Sequence, residues 1–295
     1  MANRDRREVL RGAEEETFDI LAQVLTSDQW AELLKAALER AARQGNRGLA
    51  QKLVRAGAEI GDALHGAIRG GHGDVVSDLL ENGASIAAKN ASRCGWTPLH
   101  VAARVGQTEM VQLLLVKGAD KDAMDNDGYT PLYLAMLNRH AAAARALMAA
   151  GADVTPRCGP YKRSVAHLAA EDGYVDVLGT AIEQGADVDA ADSDQKTLLN
   201  WAAGNGSVEA INVLLEAGAN IEARDSDSST PLHCAADCNN VEAVLALLEH
   251  GADVNAQNKL QQTPLHLVAR NSILGGAAAE MVDSLLRSGA DETIL

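Results

Sequence analysis

The sequence predicts an all-α solenoid of about eight stacked helix–turn–helix repeats, and three observations support this. A Thr-Pro-Leu-His tetrapeptide, or a weaker copy of it, begins at residues 62, 97, 130, 164, 197, 230 and 263, at intervals of 33 to 35 residues. The dipeptide Gly-Ala recurs in step with it at 57, 83, 118, 151, 185, 218, 251 and 289. Aromatic residues make up only 3% of the 295 residues, so the core must come from many small contacts of Ala, Leu and Val. Two markers in register over this length indicate a tandem repeat.

Each repeat carries start and stop signals for two short helices. Thr97 is a good N-cap and Pro98 suits the first helical position, while Gly106 stands where a helix ends in a left-handed residue. Thr108 can cap a second helix, which Gly118 ends in turn. Neither helix can bury its apolar stripe alone, so the repeats are expected to stack on one another.

The pattern resembles the ankyrin repeat over about residues 33–295. The resemblance implies antiparallel helix pairs joined by short β-hairpin fingers that project at right angles. It also implies a concave face, built from the fingers and the first helices, through which such arrays typically bind proteins. A further implication is that the histidines at the fourth position of the tetrapeptide tie neighbouring loops together, namely His65, His100, His167, His233 and His266.

Residues 1–31 are expected to form an N-terminal helical cap, and residues 32–295 the repeat array. Apolar residues at helical spacing, Phe18 among them, lie within the first 25 residues, and Thr26 with Gln29 predicts a capping box. The open end of a stack needs such cover. A dimerisation element is the alternative interpretation of the same segment.

The fourth repeat is irregular. Arg139 stands where the other repeats favour a left-handed glycine, and Asn138 is expected to absorb part of the resulting strain. The alanines at 141–144 form helix readily but bury little area. This region is therefore predicted to be the weakest part of the array.

Charge argues against polyanionic partners. The net charge is −15, and residues 1–60 sum to zero, so all of it lies in 61–295. Such a surface repels nucleic acid and anionic membranes. No secretory signal is evident, and no stretch approaches 18 uninterrupted apolar residues. Four cysteines are too few for a disulfide scaffold. We expect an intracellular, cytoplasmic monomer, with the nucleus as an alternative location.

No catalytic motif for phosphate binding, nucleophilic hydrolysis or zinc proteolysis occurs, so the chain is not expected to be an enzyme or to need a cofactor. His233, Cys234 and Cys238 lie close together on one predicted helix, but a fourth zinc ligand is not evident, and Cys234 fits the apolar stripe. No metal site is therefore predicted. Cys94 and Cys158 fall in finger loops and are expected to be exposed thiols.

Three fingers begin with the same acidic pattern, Asp-x-Asp, starting at Asp125, Asp192 and Asp225. One interpretation is ordinary turn chemistry, which favours Asp. The other is an acidic recognition strip that steers a basic partner, because carboxylates on successive repeats lie within reach of one another's fields. The sequence leaves both open.

The predicted function is that of a protein-interaction scaffold or adaptor, which binds a protein partner through its concave face. The alternative is the substrate-recruiting repeat region of a longer multidomain enzyme, such as a kinase or a ubiquitin ligase component. By family resemblance, the partner-binding candidates are the residues before each tetrapeptide and at the end of each first helix: Trp96, Arg104, Asp127, Tyr129, Asn138, Lys162, Asp172, Asp194, Lys196, Asp227, Ser229 and Asp237.

Overall fold

The computed structural model describes residues 26–90, 94–271 and 277–291, and within these ranges it contains sixteen helices and no named strand. The helices come in eight successive pairs, as the two sequence markers predicted, and the all-α class is confirmed. The chain divides into two compact units, Met1–Gly151 and Ala152–Leu295, each of which holds four pairs.

In the N-terminal unit, the first helix of each pair packs on the first helix of the next, which forms one layer of a stack. The second helices form a layer behind, where α2 contacts α4 and α6 contacts α8. The helices of this unit are α1 (Ser27–Arg43), α2 (Arg47–Arg55), α3 (Ala63–Gly70), α4 (Gly73–Glu81), α5 (Pro98–Arg104), α6 (Thr108–Val116), α7 (Pro131–Leu137) and α8 (Ala141–Ala149).

The C-terminal unit repeats this arrangement, with contacts between consecutive first helices and between consecutive second helices. Its helices are α9 (Val165–Asp172), α10 (Val175–Glu183), α11 (Leu198–Asn205), α12 (Val208–Glu216), α13 (Pro231–Asp237), α14 (Val241–Glu249), α15 (Pro264–Asn271) and α16 (Ala277–Arg287). The core is aliphatic: Leu198, Leu232 and Leu247 are fully buried.

Helix ends follow the local signals. The side chain of Thr97 accepts a hydrogen bond from the backbone N–H of His100, and left-handed Gly173 and Gly206 end α9 and α11. Arg139 takes the same left-handed conformation (φ 61°), as expected from its place in the repeat. Asn138 has a φ of −98°, and its side-chain amide donates a hydrogen bond of 2.8 Å to the Leu134 carbonyl oxygen.

The fingers are tight hairpin turns. Four of them are closed by a backbone hydrogen bond across five residues, for example from Asp125 N–H to the Tyr129 carbonyl (3.0 Å). The bonds from Asn90 to Trp96 and from Cys158 to Arg163 span longer loops. Isolated antiparallel bridges join Cys158 to Arg163 and Ala191 to Thr197. The loops are too short to build a longer ladder.

At the N-terminal end, the predicted capping box is present: Thr26 and Gln29 exchange side-chain and backbone hydrogen bonds of 2.9 and 3.3 Å. Helix α1 continues through position 31 and buries Trp30 and Leu38. Residues 1–25, with Phe18, lie outside the described residues, so the cap of residues 1–31 stays a prediction. In the described part of the chain, no helix has the length and apolar character needed to cross a membrane.

Candidate functional site

Buried histidines hold consecutive fingers in place. His100 Nδ1 accepts hydrogen bonds from Thr97, through its backbone N–H (3.3 Å), and lies 2.7 Å from its hydroxyl oxygen. The other ring nitrogen, Nε2, therefore carries the proton and donates to the Tyr129 carbonyl of the next finger (3.0 Å). Burial lowers the pKa of His100, which keeps the ring neutral.

The same tie recurs from His65 to the Trp96 carbonyl and from His233 to the Gln262 carbonyl, each at 3.0 Å. His167 departs from it, because its Nδ1 bonds Ser164 while its buried Nε2 has no hydrogen-bond partner among the described residues. Sequence reasoning correctly assigned these histidines to structure.

The first carboxylate of each Asp-x-Asp pattern closes its own turn. Asp192 is 3% exposed, and its Oδ1 accepts backbone N–H bonds from Asp194 (2.8 Å) and Lys196 (3.0 Å). Asp125 and Asp225 make the equivalent bonds in their fingers. Half of the acidic pattern is therefore turn chemistry.

The second carboxylate of each pattern is exposed at the fingertip: Asp127 in the N-terminal unit, Asp194 and Asp227 in the C-terminal unit. Their neighbours tie the fingers to one another through the backbone. Ser226 N–H donates to the Asp194 carbonyl (2.8 Å), and Lys259 N–H donates to the Asp227 carbonyl (2.9 Å). The fingertip side chains thus stand on a braced edge within the C-terminal unit.

Three candidates of the N-terminal unit lie at or beside its fingers, and a fourth ends a first helix. The Trp96 indole N–H donates to Asp125 (2.9 Å), and the Arg104 guanidinium lies over its ring, 4.7 Å from the centroid. Tyr129 stacks on buried Tyr133, with ring centroids 5.4 Å apart. Asn138 lies at the end of α7, where it is engaged with the backbone.

The C-terminal unit contains a groove of about 800 Å³ between the fingers and the first helices α11, α13 and α15. Five of the predicted partner-binding residues line it: Asp194, Lys196, Asp227, Ser229 and Asp237. Lys162 and Asp172 lie outside the groove, on the first finger and at the end of α9.

Sequence reasoning missed Trp201, which forms part of the floor of this groove. Its indole N–H donates to Asp192 (3.0 Å), and its ring carries the Arg163 guanidinium at 4.0 Å and the Lys196 ammonium at 5.1 Å. Arg163 also pairs with Glu171. One signal was available: Trp201 holds the fifth position of the repeat, where other repeats place smaller side chains.

The cysteines correct one expectation. Cys158 is not exposed: it is 2% accessible, beneath its finger. Cys94 is half-buried, and none of the four cysteines forms a disulfide. Cys234 and Cys238 line the groove, and burial raises the pKa of the Cys234 thiol to about 12. Among the described residues, no three side chains of metal-ligand type are grouped to hold an ion.

Known families match this architecture. The family described as ankyrin repeats (3 copies) matches residues 38–125, 64–158 and 156–225, and that described as ankyrin repeats (many copies) matches residues 214–268. The chain belongs to the ankyrin repeat family. Ankyrin repeats are non-catalytic modules that typically mediate protein interactions.

Relatives match over parts of their length only. The chain is 37% identical over 99 residues to the fruit-fly (Drosophila melanogaster) ARF GTPase-activating protein Git, covering 34% of this chain and 13% of that protein. It is 34% identical over 146 residues to the Arabidopsis thaliana E3 ubiquitin-protein ligase KEG, covering 48% and 8%. It is 33% identical over 130 residues to human ankyrin repeat and SOCS box protein 16, covering 44% and 28%.

The crystal structure of the human ASB11 ankyrin repeat domain has the same fold, with a TM-score of 0.65. At 24% sequence identity, the match covers 77% of this chain and 98% of that domain. The likeness shows the fold alone.

Proposed function

We propose that this chain is a scaffold or adaptor that holds a protein partner on the inner face of its fingers and first helices. The groove of the C-terminal unit carries the proposal: it is about 800 Å³ in volume, and five residues selected from the sequence pattern line it. Concave sites with a partly apolar floor and a few polar groups are where proteins bind their ligands.

The partner is proposed to present basic groups to the fingertips. Asp194 and Asp227 are exposed, and neither carboxylate has an ion-pair or hydrogen-bond partner among the described residues. Exposed carboxylates of this kind steer a cationic partner and accelerate its association. The chain's net charge of −15 acts in the same direction.

An affinity capture with matched variants tests this. The bait is the whole chain, as wild type, as Asp194→Asn with Asp227→Asn, and as Glu209→Gln with Glu242→Gln. The control pair removes two charges from the first turns of α12 and α14, away from the groove. A partner retained by wild type and control but lost from the groove variant supports the proposal. A partner retained equally by all three shows that the groove is not its site.

A second candidate function is a repeat region that recruits substrates within a larger enzyme. It is favoured by partial matches to an E3 ubiquitin-protein ligase and an ARF GTPase-activating protein, of which the aligned regions are 8% and 13%. The mass of the endogenous protein decides between them: an immunoblot band near 30.9 kDa supports the free scaffold, and a much larger band supports the enzyme.

The location and the oligomeric state belong to the same proposal. We place the chain in the cytoplasm, with the nucleus as the alternative, as a monomer that binds neither nucleic acid nor membrane. Four cysteines without a disulfide and a strongly negative charge support this. Light scattering of the purified chain measures the oligomeric state directly.

A further inference from the structure

We propose that the groove of the C-terminal unit binds an extended partner segment in the polyproline II conformation. The first and fourth residues of this segment are basic, and the seventh is apolar. The inference rests on the proposed function, because it assumes that the groove is the partner's site. It adds the shape and the side-chain order of the segment.

Three successive fingertips define the side-chain order. The equivalent positions are held by Asp194, Asp227 and Leu260, and all three line the groove. The two carboxylates are exposed and free of partners among the described residues, and Leu260 is 76% exposed. We call each of these fingertip residues, together with the floor residue beneath it, a rung. The complementary segment has a cation at the first two rungs and an apolar side chain at the third.

The floor of the groove repeats in the same register. Trp201, Cys234 and Leu267 hold equivalent positions on α11, α13 and α15. The Lys196 ammonium lies 5.1 Å from the Trp201 ring centroid, so the first rung carries a cation of its own. Lys259, whose backbone N–H donates to the Asp227 carbonyl, also lines the groove. Leu267 lies under Leu260 in sequence register, which makes the third rung apolar at tip and floor.

The spacing of the rungs selects the conformation. Packed helices are separated by about 8–10 Å, and we take this as the step between consecutive rungs. Backbone bonds to the Asp194 and Asp227 carbonyls join each finger to the next. A polyproline II helix advances about 9 Å per turn of three residues, so every third side chain meets a new rung. A β-strand returns to the same face after about 7 Å and an α-helix after about 5.4 Å, so neither stays in register over three rungs.

Labelled synthetic peptides test the proposal by fluorescence anisotropy on the whole chain. The matched peptide is Arg-Pro-Pro-Arg-Pro-Pro-Leu. A register-shifted peptide of equal composition is Arg-Pro-Pro-Pro-Arg-Pro-Leu, and a flexible peptide replaces each Pro-Pro by Gly-Ser. We expect the matched peptide to bind about tenfold more tightly than either control, because the shifted one cannot occupy three rungs together and the flexible one must be ordered on binding.

Variants locate the binding and separate the outcomes. Asp194→Asn with Asp227→Asn is expected to weaken the matched peptide about tenfold, and Glu209→Gln with Glu242→Gln to leave it unchanged. This inference is overturned if the matched and shifted peptides bind equally well. It is also overturned if neither peptide binds while the groove variant still loses the captured partner, and in both cases the proposed function stands. A captured partner indifferent to the groove variant overturns both.

Discussion

Acidification should destabilise the C-terminal unit through one histidine. His167 is fully buried, and burial is the main reason that its pKa falls from the ordinary 6.5 to about 4. Asp192 nearby raises that pKa, while Arg163 and Arg157 lower it further. Because the folded pKa lies below the unfolded value, the stabilisation is complete above pH 6.5 and is lost as the pH falls towards 4.

The magnitude follows from that interval. Each pH unit is worth about 1.4 kcal/mol, so His167 removes about 3 kcal/mol from the free energy of unfolding between pH 7 and pH 4. The chain supplies its own substitute: in the next repeat, Asn200 accepts hydrogen bonds from the backbone N–H (2.9 Å) and hydroxyl (2.8 Å) of Thr197. His167→Asn should therefore keep the helix cap without the titration.

Urea unfolding of wild type and His167→Asn at pH 7, 6, 5 and 4, followed by circular dichroism, measures the difference. We expect the variant to lose about 3 kcal/mol less than wild type across this range. It should retain some pH dependence, because burial also lowers the pKa of His65, His100 and His233. Parallel pH profiles, or an NMR titration of His167 with a midpoint near 6.5, would refute the reasoning.

Three further outcomes are expected. Arg139→Gly should raise the free energy of unfolding by about 0.5–1 kcal/mol and slow hydrogen exchange over residues 137–150, which in wild type should open before the sixth and seventh repeats; equal protection throughout would contradict the weak-repeat prediction. Replacing Asp127, Asp194 and Asp227 together by Asn should slow partner association and flatten its salt dependence in stopped-flow measurements, while an association rate indifferent to salt and substitution would assign the charge to solubility alone. Cys234, whose pKa is raised by desolvation, should react with a maleimide at pH 7.5 more slowly than in urea when labelling is followed by mass spectrometry, and equal rates would contradict the raised pKa.

The repeats and their helices could be predicted from the sequence because the signals are local. Thr97, Pro98 and Gly106 act within a few residues of their own position, through capping, fixed φ and left-handed geometry. The period of these signals then dictates stacking. The period also assigned the histidines of the tetrapeptide to structure, whereas the sequence left both interpretations of the acidic pattern open.

The groove required the tertiary structure. Asp194, Trp201 and Asp227 are separated along the chain and line one cavity only because consecutive repeats stack in register. Exposure was equally undecidable from the sequence: Cys158 was expected to be exposed because it lies in a loop, yet its finger folds over it. A residue's conformation depends on its neighbours in the chain, whereas its burial and its partners depend on which other repeat covers it.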